Sequence, residues 1–596
     1  MLFTRPLGGA AICFWLYGAA SSGRGPPLPS SHLSLSSFNW TLSNANRSII
    51  LSTPFLNQPH LALIDAGIID EPNIGLNEGT VRWVGEEEAW TWETTFQIGA
   101  DPHWTGVDRF YLAFNGLDTF CDIELGGHRI GSTDNAFRSW VFDVTEAVLA
   151  ARSHSSISLS LRFASAAAIT SRLAHEPGNI WFPGRESKHA PTLELYEYNY
   201  RNWARKQQSD FGWDWGPAYL PCGPLQPAYL IGLSGEKEEK MKSALSLSQN
   251  IPDFTPRPGE RTTRISLQPF ESGPSLTTGQ GISAHLEQEK NQLTLQRRRE
   301  KPRPNQMNTP PASFWIHRTV IDIHKKGQRN NLHPNQNEPW ILNVTLPITS
   351  ARSFHHTSLN LSAVLVGTSV HLEPKTLSIM KPANYINLGP DYFLTAQYTI
   401  DHQSVELWYP AMLRNPKLHD LKLTLDFHDQ EKNTSQLTWY ERVGFQTIVV
   451  DQSCYSAQEV SQGITPGTRF TFVINGKPFY VQGSSMIPIN NFAAHTNSST
   501  ICWLIQSALL AHQNVVRIWG GGAYETDEFY DICDELGILA WSESVFACGA
   551  YPISPRSFLD NIRAEVAENI ARLNRHPSTA LWARNNEGEG YLIAAN

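Results

Sequence analysis

Residues 581–587 read Leu-Trp-Ala-Arg-Asn-Asn-Glu, an apolar stretch that turns polar and ends on a carboxylate. Barrel enzymes place their reacting groups just past the C-terminal ends of the strands. Glu587 holds that place if 579–582 is a strand. In glycoside hydrolysis one carboxylic acid protonates the leaving oxygen, while a second carboxylate attacks the anomeric carbon or activates water. Asn586, one residue earlier, can donate a hydrogen bond to a sugar hydroxyl. Position alone also fits an ordinary loop glutamate. The chain carries 19 tryptophans, whose flat apolar faces serve either core packing or contact with pyranose rings.

The elements that must position these groups follow from periodicity. From about 30 to 232 the pattern is β: Phe110, Leu112 and Phe114 alternate, as do Ile157, Leu159, Leu161 and Phe163. A sandwich over 22–234 is expected. Residues 235–312 carry Lys/Glu runs, Pro-Arg-Pro segments and the cluster Arg297, Arg298, Arg299, with little to offset the entropy of folding. They read as a disordered insert or linker. Alternation returns at Leu421, Leu423, Leu425 and Phe427, within a second, immunoglobulin-like sandwich over 313–464. From 465 to 596 the grammar becomes strand–helix–strand. Strands are expected at 479–483, 515–519, 538–541 and 579–582, with helices between them. Thr526 caps the helix that begins Asp527-Glu528, and Gly537 ends it. Another amphipathic helix carries Phe558, Ile562, Val566, Ile570 and Leu573. Such repeats imply a parallel sheet covered by helices. Eight of them make a TIM barrel of about 250 residues; the four counted here form its first half.

At 596 residues the chain is too long for one core, and its net charge of −9 argues against nucleic acid or an anionic membrane as partner. Arg5 followed by the apolar stretch Leu7–Ala20 reads as a secretory signal over 1–21, shorter than the roughly 20 residues a membrane span needs. A secreted, extracellular protein is expected. Sequons at Asn39, Asn46, Asn343, Asn360, Asn433 and Asn497 fit that route. Of the seven cysteines, Cys13 falls in the signal, and the others lack any C-x-x-C pair, so no zinc site is expected. One or two disulfides fit an oxidising compartment, with the pairing open.

Three runs carry a family resemblance: Arg205–Pro217 (R-K-Q-Q-S-D-F-G-W-D-W-G-P), Val516–Glu525 (V-R-I-W-G-G-G-A-Y-E) and Phe529–Leu539 (F-Y-D-I-C-D-E-L-G-I-L). With Asn77-Glu78, Trp83–Glu86, Asn115–Thr119 and the Asn585-Asn586-Glu587 ending, the chain resembles the fungal, secreted β-mannosidase branch of family-2 glycoside hydrolases. The likeness covers most of 30–232 and 313–596. It implies a multidomain fold of jelly-roll-like sandwich, immunoglobulin-like sandwich and barrel. The implied activity is retaining, exo-acting removal of terminal β-mannose from β-mannosides and N-glycan-derived oligosaccharides. It implies Glu587 as proton donor and later base, Asp214 binding mannose hydroxyls, and Trp213 and Trp215 walling that pocket; the alternatives are a buried, hydrogen-bonded structural aspartate and core tryptophans. Arg517 and Trp519 would line the barrel mouth. No metal or organic cofactor is implied. The partners are a β-mannoside oligosaccharide and, as a candidate, a second copy of the chain.

Four departures bear on this. The family's nucleophile glutamate lies beyond Asn596, so little or no hydrolysis is expected of this chain. Arg584 stands where the family usually has glycine. Trp541–Cys548 (W-S-E-S-V-F-A-C) differs from the usual W-Q-D-F-M-F-A-C, and 235–312 has no counterpart. Glu543 is expected to be structural, and Glu589 is too close to Glu587 to face it across a sugar. The alternative reading is a non-catalytic carbohydrate-binding protein.

Overall fold

The computed structural model describes residues 25–98, 102–151, 156–179, 197–235, 313–329, 332–351, 358–381, 390–428 and 434–588. The expected signal, nearly all of the 235–312 insert, Glu589 and the sequon at Asn433 lie outside them.

The alternating residues of the first β region face one core: Phe110, Leu112, Phe114, Ile157, Leu159, Leu161 and Phe163 are all buried. Two antiparallel sheets supply them. One runs His32–Ser34, Ala228–Leu233, Arg109–Phe114, Trp140–Asp143. The other runs Ile50–Thr53, Trp40–Asn44, Ala89–Phe96, Ile157–Ala164, Phe120–Leu125, His128–Asp134. Side chains of period two from each sheet meet between them, as in a sandwich. In the second sandwich Trp340–Ser350 is the hub of a five-stranded sheet. The facing sheet runs His371–Thr376, Ser358–Leu365, His419–His428, Thr434–Val443, and buries Leu421, Leu423 and Leu425.

The strand expected over 479–483 is two separate features. Asn475 and Gly476 both take positive φ, 48° and 76°, which makes them the turn of a hairpin between Thr471–Ile474 and Lys477–Phe479. That hairpin pairs with Ile448–Asp451 in a three-stranded antiparallel sheet that straddles the expected boundary at 465. The apolar run Phe479-Tyr480-Val481 conceals the break, and Tyr480 is exposed.

The parallel unit begins at β1 (Gly483–Met486) and continues through α1 (Ser498–Leu510), β2 (Val515–Ile518), α2 (Asp527–Leu536), β3 (Leu539–Glu543), α3 (Arg556–Leu573) and β4 (Thr579–Ala583). The strands pair in that order, all parallel. Thr526 Oγ1 accepts the Phe529 N–H at the start of α2. Gly537 closes α2 at φ 70°, where a Cβ would lie 2.4 Å from the Ala411 nitrogen. Among the described residues β1 and β4 each have one strand neighbour, so both edges are open. Trp503 and Leu510 on α1 are exposed, as an open edge allows. No helix among the described residues is long and apolar enough to cross a membrane.

Buried charge joins the units. Arg205, in the first sandwich, forks onto Glu565 of α3 at 2.8 and 2.5 Å, and neither side chain is exposed. Asn135 Nδ2 and Tyr524 Oη donate to the same carboxylate at 2.8 and 3.1 Å. Arg318 of the second sandwich reaches Glu568, one turn further along α3, at 2.8 Å. Beside Arg205, Lys206 is buried between Asp118 and Asp210. Burial raises both carboxyls against the lysine's charge, Asp210 to about 6.

Two outcomes test this construction. Glu565→Gln leaves Arg205 buried without its charge partner and should cost about 3–5 kcal/mol, read as a lowered urea midpoint. His60 is buried with neither ring nitrogen partnered, and burial lowers its pKa from 6.5 to about 3. The unfolded chain therefore takes up that proton first. Stability should fall as pH drops from about 6.5 towards 3, by up to about 1.4 kcal/mol per pH unit. His60→Phe should flatten that limb.

Candidate active site

The Arg205–Pro217 run is buried for most of its length and emerges as a tight hairpin. Trp213 N donates to Gly216 O at 2.9 Å and Gly216 N returns to Trp213 O at 3.2 Å, leaving Asp214 and Trp215 as the two turn residues. Both are exposed, so Asp214 is not the buried structural aspartate that was its alternative. The hairpin lands on the parallel sheet. Trp519, just past the end of β2, meets Trp213 edge-on at 4.7 Å between centroids and Trp215 at 5.5 Å. Trp519 is only 7% exposed and serves as the floor of this cluster. The glycines after it make room: a Cβ on Gly521 would lie 2.0 Å from the Trp519 ring. Gly521 O also accepts the Ser209 N–H at 3.0 Å, joining the two runs directly.

Beyond β4 the chain keeps a parallel course beside residues 546–548. Asn586 N donates to Phe546 O at 2.8 Å, and Cys548 N donates to Asn586 O at 2.9 Å. Glu587 follows, exposed, at φ 57°, and Cys548 opposite it has φ 42°. Left-handed backbone at non-glycine residues costs on the order of 1–3 kcal/mol each and collects at functional sites. Cys548 Sγ donates to Glu587 Oε2 at 3.3 Å. Burial, and after it the bond to Glu587, push this thiol up to about 12.

Arg517 organises the strand ends rather than presenting a free cation. Its guanidinium donates to Glu543 Oε1 (3.0 Å), Ser485 Oγ (3.0 Å) and Asn586 Oδ1 (2.7 Å), so one side chain joins β1, β3 and the exit of β4. Glu543 is 5% exposed and also accepts the Gly520 N–H at 2.8 Å. Its oxygens are occupied, which suits a structural carboxylate and not a nucleophile. Asn586 is 6% exposed, with its oxygen held by Arg517. Arg584 is exposed and makes no ion pair among the described residues.

Two residues assigned no role in the site from the sequence belong to it. Arg201 stacks over the Trp213 ring at 4.3 Å and donates to Cys548 O at 3.1 Å, bridging the hairpin and the loop beside Glu587. Cys548 itself lies in the W-S-E-S-V-F-A-C run, where only the preserved Phe-Ala-Cys ending could have drawn notice. A cavity of about 490 Å³ lies elsewhere, where the two sandwiches meet the parallel unit; Phe137, Asn490, Glu525 and Arg572 line it, and none of the hairpin or strand-end residues do. Among the described residues Asp531, Asp534 and His576 stand close enough to hold a cation. Their atoms serve each other: His576 Nδ1 meets Asp534 at 2.7 Å, and Asp534 also accepts the Ser578 N–H. The cysteines 121, 222, 454, 533 and 548 are free thiols.

A hairpin of the first β-sandwich thus meets the C-terminal ends of a parallel β/α sheet, beside an exposed carboxyl. Residues 40–226 match the family model described as glycosyl hydrolase 2 galactose-binding domain-like. More particularly, the chain is similar to β-mannosidase A of Aspergillus terreus, 32% identical over 569 residues, which are 94% of this chain and 49% of that protein. β-Mannosidase A of Aspergillus niger is 31% identical over 561 residues, again 94% and 49%. The chain thus spans about half the length of the curated relatives it matches. Among solved structures, a β-D-mannosidase from Dictyoglomus thermophilum shares the fold at TM-score 0.64 and 23% identity, covering 93% of this chain and 52% of that one. A β-glucuronidase from Parabacteroides merdae follows at TM-score 0.53 and 15% identity, over 94% and 51%.

Arg517→Lys tests the strand-end junction. A single ammonium cannot reproduce the guanidinium fork. A loss of roughly 1–3 kcal/mol is expected in urea unfolding of the parallel unit, and parent-like stability would show that the fork does not hold it.

Proposed function

We propose that the protein to which this chain contributes its sugar-binding sandwich and its acid/base strand is a retaining exo-β-mannosidase. The four parallel strands are read as the first half of a (β/α)8 barrel. One observation carries the reading: a carboxyl at a strand exit and a Trp-Asp-Trp hairpin from another domain are held together through Arg201 and Trp519. The relatives' names support the mannose configuration. Asp214, exposed at the hairpin tip, binds hydroxyls of the terminal mannose, and Trp213 and Trp215 bound the pocket. Glu587 gives its proton to the glycosidic oxygen as that bond breaks. A second carboxylate, about 5 Å away across the bond, forms the mannosyl intermediate, and Glu587 then deprotonates water. Substrates are β-mannosides, including N-glycan-derived oligosaccharides. The expected route is secretory, and the exposed sequons Asn39, Asn46 and Asn497 are accessible to glycosylation.

Glu543, the candidate for the second carboxylate on the neighbouring strand β3, is occupied, and little or no unaided turnover is expected. The second reading is a non-catalytic carbohydrate-binding protein, which would bind mannose without turnover. Azide separates the two, because it can attack the anomeric carbon in place of a second carboxylate. With p-nitrophenyl β-D-mannopyranoside and azide, the 596-residue chain should yield α-mannosyl azide and p-nitrophenol. Glu587→Gln should abolish this, and Asp214→Ala should weaken mannose binding in calorimetry by roughly tenfold or more. Mannose binding without any azide product would favour the binding protein; binding of galactose as tightly as mannose would sink the mannosidase assignment.

A further inference from the structure

The polar relay at the strand ends has a direction, and the arginine sets it. A guanidinium only donates, and Arg517 Nη2 lies 2.7 Å from Asn586 Oδ1. The Asn586 amide is thereby oriented, where amide orientation is otherwise ambiguous. Its Nδ2 is the end that faces Cys548, 3.3 Å from Sγ. The sulfur accepts on that side, so its single proton is left for another acceptor. Glu587 Oε2, at 3.3 Å, is that acceptor. Both flanks of the relay are anchored: Arg517 is fixed on Glu543 and Ser485, and the Cys548 carbonyl is held by Arg201.

We propose that Cys548 is a positioning residue for Glu587: its thiol donates to Oε2, holds the carboxyl in one rotamer, and leaves Oε1 to carry the transferable proton. This rests on Glu587 being the acid/base. When the proton leaves Oε1 for the departing oxygen, the thiol keeps its own proton and steadies the new carboxylate. Cys548 therefore neither forms a bond to the sugar nor gains or loses electrons. Its raised pKa keeps it a donor under neutral conditions, where a more acidic thiol would add a competing negative charge.

Two measurements test the assignment. The first needs no substrate: the rate of Cys548 alkylation by iodoacetamide, read on its own peptide by mass spectrometry, while the buried Cys121 and Cys533 stay unlabelled. Glu587→Gln keeps the side-chain shape and removes the charge that disfavours the thiolate. Cys548 should then react roughly tenfold faster at about pH 9, the effect of one pKa unit. A change of less than about twofold overturns the proposal, whatever Glu587 does to substrates. The second is the pH profile of azide-dependent cleavage. Cys548→Ala removes a donor to the carboxylate and should move the alkaline limb to higher pH, while Cys548→Ser, which can still donate, should restore the parent profile. Parent-like limbs in both variants overturn the positioning role. Azide-dependent cleavage that survives Glu587→Gln, with the alkylation result intact, would instead count against Glu587 as the acid.

Discussion

The arrangement depends on one buried ion pair, Arg205 with Glu565. Both side chains are fully removed from water, and the carboxylate also accepts from Asn135 and Tyr524. Charges cannot be buried this way unless nearly every partner is in place. The docking of the first sandwich onto α3 brings Arg205 and Asn135 to the carboxylate that Tyr524 also meets. The pair therefore specifies geometry more than it adds stability. Arg205 opens the stretch that ends in the Trp213–Gly216 hairpin, so fixing its guanidinium on α3 also fixes where the hairpin lands.

From that docking the site follows. The acid/base candidate is supplied by the exit of β4 and the Trp-Asp-Trp hairpin by a domain several hundred residues earlier in the chain. Trp519 and Arg201 touch both sides of the junction. Aromatic contact supplies area without demanding a single angle, whereas the Arg201 hydrogen bond to the Cys548 carbonyl supplies direction. On the side of the parallel sheet, Arg517 gathers three strand ends through the three nitrogens of one planar group, which a lysine could not do. The left-handed backbone at Cys548 and Glu587 is held where these bonds converge.

Much of the architecture was legible in the residues alone. Strand periodicity marked the sandwich cores at Phe110–Phe114, Ile157–Phe163 and Leu421–Leu425, because half-buried strands must alternate. The Thr526 cap and the Gly537 stop were readable because helix ends have unpaired backbone groups that few residue types satisfy. The strand over 479–483 was misplaced because apolar content outweighed the Asn475-Gly476 turn signal just before it. Trp213, Trp215 and Trp519 were singled out as types, yet nothing in their spacing showed that they touch.

The sequence by itself determined the local grammar: which segments alternate, which turn, where helices start, and which carboxylates stand at strand exits. These depend on near neighbours along the chain. Only the tertiary structure decided which polar groups share a site. Arg517 appeared as a cation at the barrel mouth and proved to be a clasp on Glu543, Ser485 and Asn586. Cys548 and Arg201 entered the site without any sequence signal of their own. The physical reason is that hydrogen bonds and buried charges are settled by distances of about 3 Å between residues far apart in the chain, and no pattern of residue types encodes those distances until the domains have packed.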